Sequence, residues 1–87
     1  TVLLELAPRE RVVSKAGRNA YAARLKILTD KLVADGFARA RAERLAVLCI
    51  SALQGSLVQA RVERSAAPIL TAADELARLL DTELSGG

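Results

Sequence analysis

Between Ala38 and Arg64 the chain runs without a proline and with one glycine, Gly55. This stretch constrains the fold more than any other. Its first turns are charged, with Arg39, Arg41, Glu43 and Arg44. Beyond them, at helical spacing, Leu45, Ala46, Cys49, Ile50, Leu53, Leu57 and Ala60 form a broad apolar face. Opposite lies a second stripe of small and mildly apolar residues: Val47, Ser51, Gln54, Gly55, Val58 and Val62. A helix that is apolar nearly all round is buried on two sides. The chain has 87 residues, enough for one small domain and one modest core. It has little material to cover both faces. The second stripe is therefore a candidate for contact with another chain, and cover from the same chain is the alternative. Gly55, at the middle of the stripe, would let a partner helix cross closely.

The rest of the sequence predicts an all-α domain spanning residues 1–87. Aromatic residues make up 2% of the chain, and Ala, Leu, Arg and Glu are abundant. Thr1 to Ala7 is short and apolar and is closed by Pro8; it fits the last turns of a helix. The second segment runs from Arg9 to Asp35. Val13, Ala16, Ala20, Ala23 and Ile27 form one stripe on it; Tyr21, Leu25, Leu28 and Leu32 form another. Gly17 allows a kink or break, and Gly36 is placed as a terminating glycine. The last segment, Ile69 to Leu84, follows a break at Ser65 to Pro68. Its apolar stripe is Ile69, Ala73, Leu76, Leu80 and Leu84. The short connection predicts antiparallel neighbours, and two long helices with apolar faces suit an intersubunit four-helix bundle. Ser85 to Gly87 has the composition of a frayed end. The chain contains no Met, as expected of a trimmed chain or a fragment of a longer one.

Catalytic inventories are thin. There is no His, which removes Cys/His zinc sites and His-based acid–base chemistry. No metal-ligating cluster and no Gly-rich phosphate loop is present, so no cofactor is expected. The acidic pairs Asp74/Glu75 and Asp81/Glu83 fall on a polar helix face. Cys49 lacks a basic, partly exposed setting and is expected to pack as a small hydrophobe. Tyr21 shares its stripe with three leucines, which fits core or ligand contact. Gln54 interrupts an apolar stretch and fits a hydrogen bond across a dimer axis, a pocket contact or plain exposure. The net charge is +3, from 13 basic and 10 acidic residues. The charges are mixed along the chain and base-stacking aromatics are scarce, which argues against a nucleic-acid surface. No uninterrupted apolar run reaches bilayer length and no signal peptide is visible, so the cytoplasm is the expected compartment.

Several motifs occur together in order. Leu53-Gln54-Gly55-Ser56-Leu57-Val58-Gln59-Ala60-Arg61 is followed by Ala67-Pro68-Ile69-Leu70 and Leu76-Ala77-Arg78-Leu79-Leu80. Upstream stand Val2-Leu3-Leu4-Glu5-Leu6-Ala7 and the spaced Leu28, Leu32 and Gly36. Over roughly residues 2 to 81, this order resembles the C-terminal domain of TetR-type (tetracycline-repressor family) transcriptional regulators. The resemblance implies an all-α homodimer whose last two long helices form an intersubunit four-helix bundle. It also implies a pocket for a small hydrophobic effector, and operator DNA bound by an N-terminal helix-turn-helix domain. That DNA-binding domain is not in this chain. Carried over by residue, Val47, Ser51, Gln54, Gly55, Val58 and Val62, with Ile69, Ala73, Leu76 and Leu80, would form the dimer seam. Tyr21, Ile50, Leu53 and Leu57 would face the effector pocket. The related branch often carries Glu where Gln54 stands, and an aromatic near Arg24 and Leu25. The expected function is therefore a non-enzymatic regulatory domain that dimerises and binds an effector. The alternative is a stand-alone helical homodimer acting as adaptor or scaffold without a ligand.

Overall fold

A computed structural model describes residues 15–86. Three α-helices make up the described residues: α1 (Lys15–Ala34), α2 (Arg39–Glu63) and α3 (Ala67–Leu84), with no strand among them. The apolar segment Thr1 to Ala7, and Val13, lie outside the described residues. Gly17 sits inside a continuous α1, with no break at that point.

The helix boundaries follow from local chemistry. Gly36 has φ +119°, in the region that favours glycine. Its N–H donates to the Val33 carbonyl at 3.1 Å, and the Phe37 N–H donates to the Leu32 carbonyl at 3.0 Å. This pair of bonds is the Schellman closure, and the hydrophobic contact that accompanies it joins Leu32 and Phe37, both buried. The chain therefore reverses with two orphan carbonyls satisfied and an aromatic driven into the core. At the start of α3, Pro68 occupies the first turn, where no N–H is needed. Ala66 has no side chain to cap with, and the Ser65 hydroxyl oxygen accepts from the Ala67 N–H at 3.1 Å.

The end of α2 is less comfortable. Arg64 adopts φ 53°, ψ 45°, the left-handed region, while its N–H donates to the Ala60 carbonyl. A non-glycine residue there carries about 1 kcal/mol or more of strain. Arg64→Gly is therefore expected to raise stability by about 0.5 to 1 kcal/mol, read as a higher urea midpoint with unchanged slope. A lower midpoint would show that the Arg64 side chain contributes more than its backbone costs.

α2 is the central helix, packed against α1 on one side and α3 on the other. Its length and apolarity match a bilayer span, which its polar interruptions had argued against. Its central position accounts for part of that apolarity, since 28% of the apolar window is buried within the subunit. The core is small: Leu32, Phe37, Ala42, Leu45 and Ala46, with Leu25, Leu28, Val33 and Leu80 packed around it. It lies at the α1–α2 turn. α1 thus buries its Leu25/Leu28/Leu32 stripe, whereas Ala16, Ala20, Ala23 and Ile27 are exposed. Two polar side chains, Thr29 and Ser56, are also buried. The Ser56 hydroxyl donates to the Leu53 carbonyl at 2.7 Å, so its burial leaves no unmet donor.

α3 has no fully buried residue. Its half-buried positions are Pro68, Ile69, Ala72, Leu76, Leu80 and Glu83. Near its C-terminus Glu83 receives two hydrogen bonds of 2.7 Å from the Arg41 guanidinium in the first turn of α2. The expected antiparallel arrangement follows from that contact. Bidentate geometry of this kind is the stronger form of ion pair. The guanidinium holds the Glu83 carboxyl below its usual range. A depressed folded-state value stabilises the fold above the unfolded-state value near 4.3 and is lost as pH falls through the lower folded value. Wild-type stability is expected to decline below about pH 4, and Glu83→Gln to show a smaller decline when urea midpoints are compared across pH. Identical pH profiles would remove this pair from the account. At the same end of the domain, Asp30 accepts from Lys26 at 2.6 Å and from both terminal nitrogens of Arg39 at 3.3 Å. Those cations offset the unfavourable placement of an acid near the end of α1.

Candidate functional site

The site is built on the face of α2 turned away from both neighbours. One ion pair and one groove fix the orientation of this helix. Arg41 pairs with Glu83, while Gln59 and Glu63 line a groove with Ala67, Pro68, Thr71 and Ala72 of α3. These positions share a helical side with Leu45, Ala52 and Ser56, so that side faces α3. Ala42, Ala46 and Ile50 lie on the adjoining side, which continues the core toward α1. The remaining sector carries Val47, Ser51, Gln54, Gly55, Val58 and Val62, all exposed. Val58 is 58% exposed and Val62 79%. A Cβ built on Gly55 meets nothing within 4 Å. The same-chain alternative for covering this stripe is therefore not realised by the described residues.

The α3 members of the expected seam divide. Ile69, Leu76 and Leu80 are half-buried, and Leu80 packs on the core of its own chain. Ala73 is exposed. The large apolar side chains that α3 leaves open are Leu70, Leu79 and Leu84. Periodicity grouped Leu84 with the inner stripe and left Leu70 out. The register of α3 on α2 decides between them, and a single helical wheel does not contain that register.

The expected pocket residues are also dispersed. Ile50 is buried, whereas Tyr21, Leu53 and Leu57 are exposed to solvent. Leu53 is 37% exposed, so the cost of truncating a fully buried leucine does not apply to it. Leu53 and Leu57 continue the α1-facing side of α2 into its C-terminal half. The first turns of α1 are themselves exposed there. Two open grooves of about 400 Å³ are present. One, between α1 and α2, is lined by Leu25, Lys26, Thr29, Arg39, Glu43 and Val47. The other is the groove at the α2–α3 turn. Neither is lined by Tyr21, Ile50, Leu53 or Leu57. The first groove shares Val47 with the exposed stripe. Sequence reasoning missed it because its cations are drawn together by Asp30, across the helix turn.

The chemistry on view offers little for catalysis. Cys49 is buried, and burial pushes its thiol up, away from the reactive thiolate. Among the described residues no group of His, Cys, Asp and Glu is placed to hold a metal ion. Several charged side chains pair with one another at the surface, as Arg78 does with Asp74 at 3.1 Å.

A family model described as the C-terminal domain of LmrA/YxaF-like transcriptional regulators matches residues 1–75. The match takes in all of α1 and α2 and the first half of α3. No curated protein and no solved structure matches the chain.

Proposed function

The chain belongs to the LmrA/YxaF-like C-terminal-domain family of TetR transcriptional regulators, and from that premise we propose that it dimerises and binds the effector of such a regulator. The observation that carries the dimer is the uncovered α2 stripe running from Val47 to Val62. A soluble subunit that leaves this much apolar surface on one helix face has a use for it. A stable interface buries about 800 Å² on each partner. α2 supplies the length for such a seam, and the exposed flank of α3 widens it. In this reading Gln54 and Gly55 sit near the twofold axis, where each side chain meets its own copy.

The effector face is Tyr21, Ile50, Leu53 and Leu57. Three of these are solvent-exposed in the single subunit, so closing a pocket over them requires more protein, from the partner or from elsewhere in the regulator. The mechanism is allosteric. An effector changes DNA affinity only by binding one dimer geometry better than another. In such a regulator operator DNA is read through an N-terminal helix-turn-helix domain, and the compartment is the cytoplasm. The openness of both grooves favours a second reading, a helical homodimer that acts as an adaptor without a ligand.

Sedimentation across a concentration series tests the dimer. A tight dimer supports the seam, and a well-folded monomer at high concentration overturns it. Thermal shift against a panel of small hydrophobic compounds separates the two readings. Saturable stabilisation that is lost in Leu53→Asp favours the effector site, and a flat panel favours the adaptor.

A further inference from the structure

α3 is attached to the rest of the molecule unevenly. Its polar tether is at one end, the Arg41–Glu83 pair. The apolar anchor is at the same end, where Leu80 packs on the core, while Leu84 beyond it is 45% exposed. Between these anchors and the turn, α3 buries nothing completely. The α2 side it covers there pairs the small residues Ala52 and Ser56 with the exposed Gln59 and Glu63. At the opposite end the chain reverses through Arg64 in the left-handed region, a conformation with strain in it. We infer that α3 is a hinged arm, closed by the Arg41–Glu83 clasp, which swings from α2 about residues 64–66 while the α1–α2 core stays folded. This inference concerns the single subunit and goes beyond the dimer proposal.

The physical basis is the distribution of burial. Segments open locally with a free energy set by the surface they bury, and an arm with no fully buried residue stands at the low end of that range. The core residues Leu32, Phe37, Ala42, Leu45 and Ala46 come from α1, α2 and their turn; Leu80 is the α3 residue packed against them, and their contacts with one another persist when α3 departs. Cys49 reports the opening. It is 6% exposed and lies at the border between the α3-facing and α1-facing sides of α2. Departure of α3 is expected to raise the exposure of its sulfur. The arm would thus control access to the α2 surface that α3 covers.

The test is the rate at which 5,5′-dithiobis(2-nitrobenzoic acid) labels Cys49 in the 87-residue chain. It is followed at low urea and at a concentration giving one sedimenting species. The wild-type rate is expected to rise with urea less steeply than global unfolding does, because arm opening exposes only part of the surface. Glu83→Gln is expected to speed native labelling about fivefold, and 0.5 M salt to speed the wild type in the same direction. The charge-swapped double variant, Arg41→Glu with Glu83→Arg, is expected to return most of the way to the wild-type rate. A wild-type urea dependence equal to that of global unfolding overturns the arm. So does a Glu83→Gln rate equal to wild type, or a rate that tracks only the monomer–dimer equilibrium. If Glu83→Gln does not fold, the wild-type urea and salt dependences decide the question alone.

Discussion

Leu45→Ala is expected to lower stability by about 2 to 5 kcal/mol, enough to leave a large share of the chain unfolded at 37 °C. Leu45 is 2% exposed and is the one large side chain that the described residues bury wholly. It sits where all three helices come together, with Leu32, Phe37 and Ala46 in its cluster and Leu80 of α3 against it. Two of the five buried cluster members are alanines. They have no longer side chains with which to fill the space that a lost isobutyl group would leave. The cavity term therefore adds to the lost transfer term in full. A domain of this size begins with little stability to spare. Urea denaturation followed by circular dichroism measures the loss, with Ile27→Ala as the control. Ile27 is 70% exposed and its truncation should move the midpoint little. A Leu45→Ala shift below about 1 kcal/mol would mean that stability resides in surfaces not covered within the subunit.

Punctuation was the most legible part of the fold. Gly36 and Pro68 each demand a specific local backbone, so the ends of α1 and α2 and the start of α3 fell within a few residues of expectation. One face of α2 was legible in part: Leu45, Ala46, Cys49 and Ile50 are buried, whereas Leu53 and Leu57 on the same face and the whole second stripe are exposed in the single subunit. What the sequence could not supply was the pairing of faces. α1 carries two apolar stripes, and nothing local ranks Leu25/Leu28/Leu32 above Ala20/Ala23/Ile27. Only packing on α2 buries the first and exposes the second. Arg41 and Glu83 are far apart in sequence, so their pair was invisible until the hairpin set its register. Arg64 in the left-handed region had no sequence signal, since glycine or asparagine is the usual mark of that conformation. Tyr21, Leu53 and Leu57 were grouped by resemblance, and they line neither groove of the single subunit, because a groove forms only where separate helices converge. The groove between α1 and α2 converges on Leu25, Thr29 and Val47.

Gly55→Leu is expected to act in opposite directions on the subunit and on its dimer. Within the subunit a Cβ at position 55 meets nothing within 4 Å. Replacing a mid-helix glycine with a strong helix former then stabilises α2 by about 0.8 kcal/mol. At a dimer seam the same side chain enters the space a partner helix would occupy. Overpacking costs about 1 to 3 kcal/mol at each site, and twofold symmetry places two such sites in one interface. Association should therefore weaken by about 2 to 6 kcal/mol, a factor of roughly 30 to 10⁴ in Kd. Gly55→Ala should fall between, with the helix gain kept and a smaller steric penalty. Sedimentation equilibrium measures the Kd of each variant, and thermal melts at a concentration below it measure the subunit alone. The divergence of the two readouts is the diagnostic feature. A general destabilisation would move both down, and a solvent-facing Gly55 would raise the melt while leaving Kd where it was. That last result would move the seam off the Val47–Val62 stripe and onto the flank of α3, where Leu70 and Leu79 are exposed.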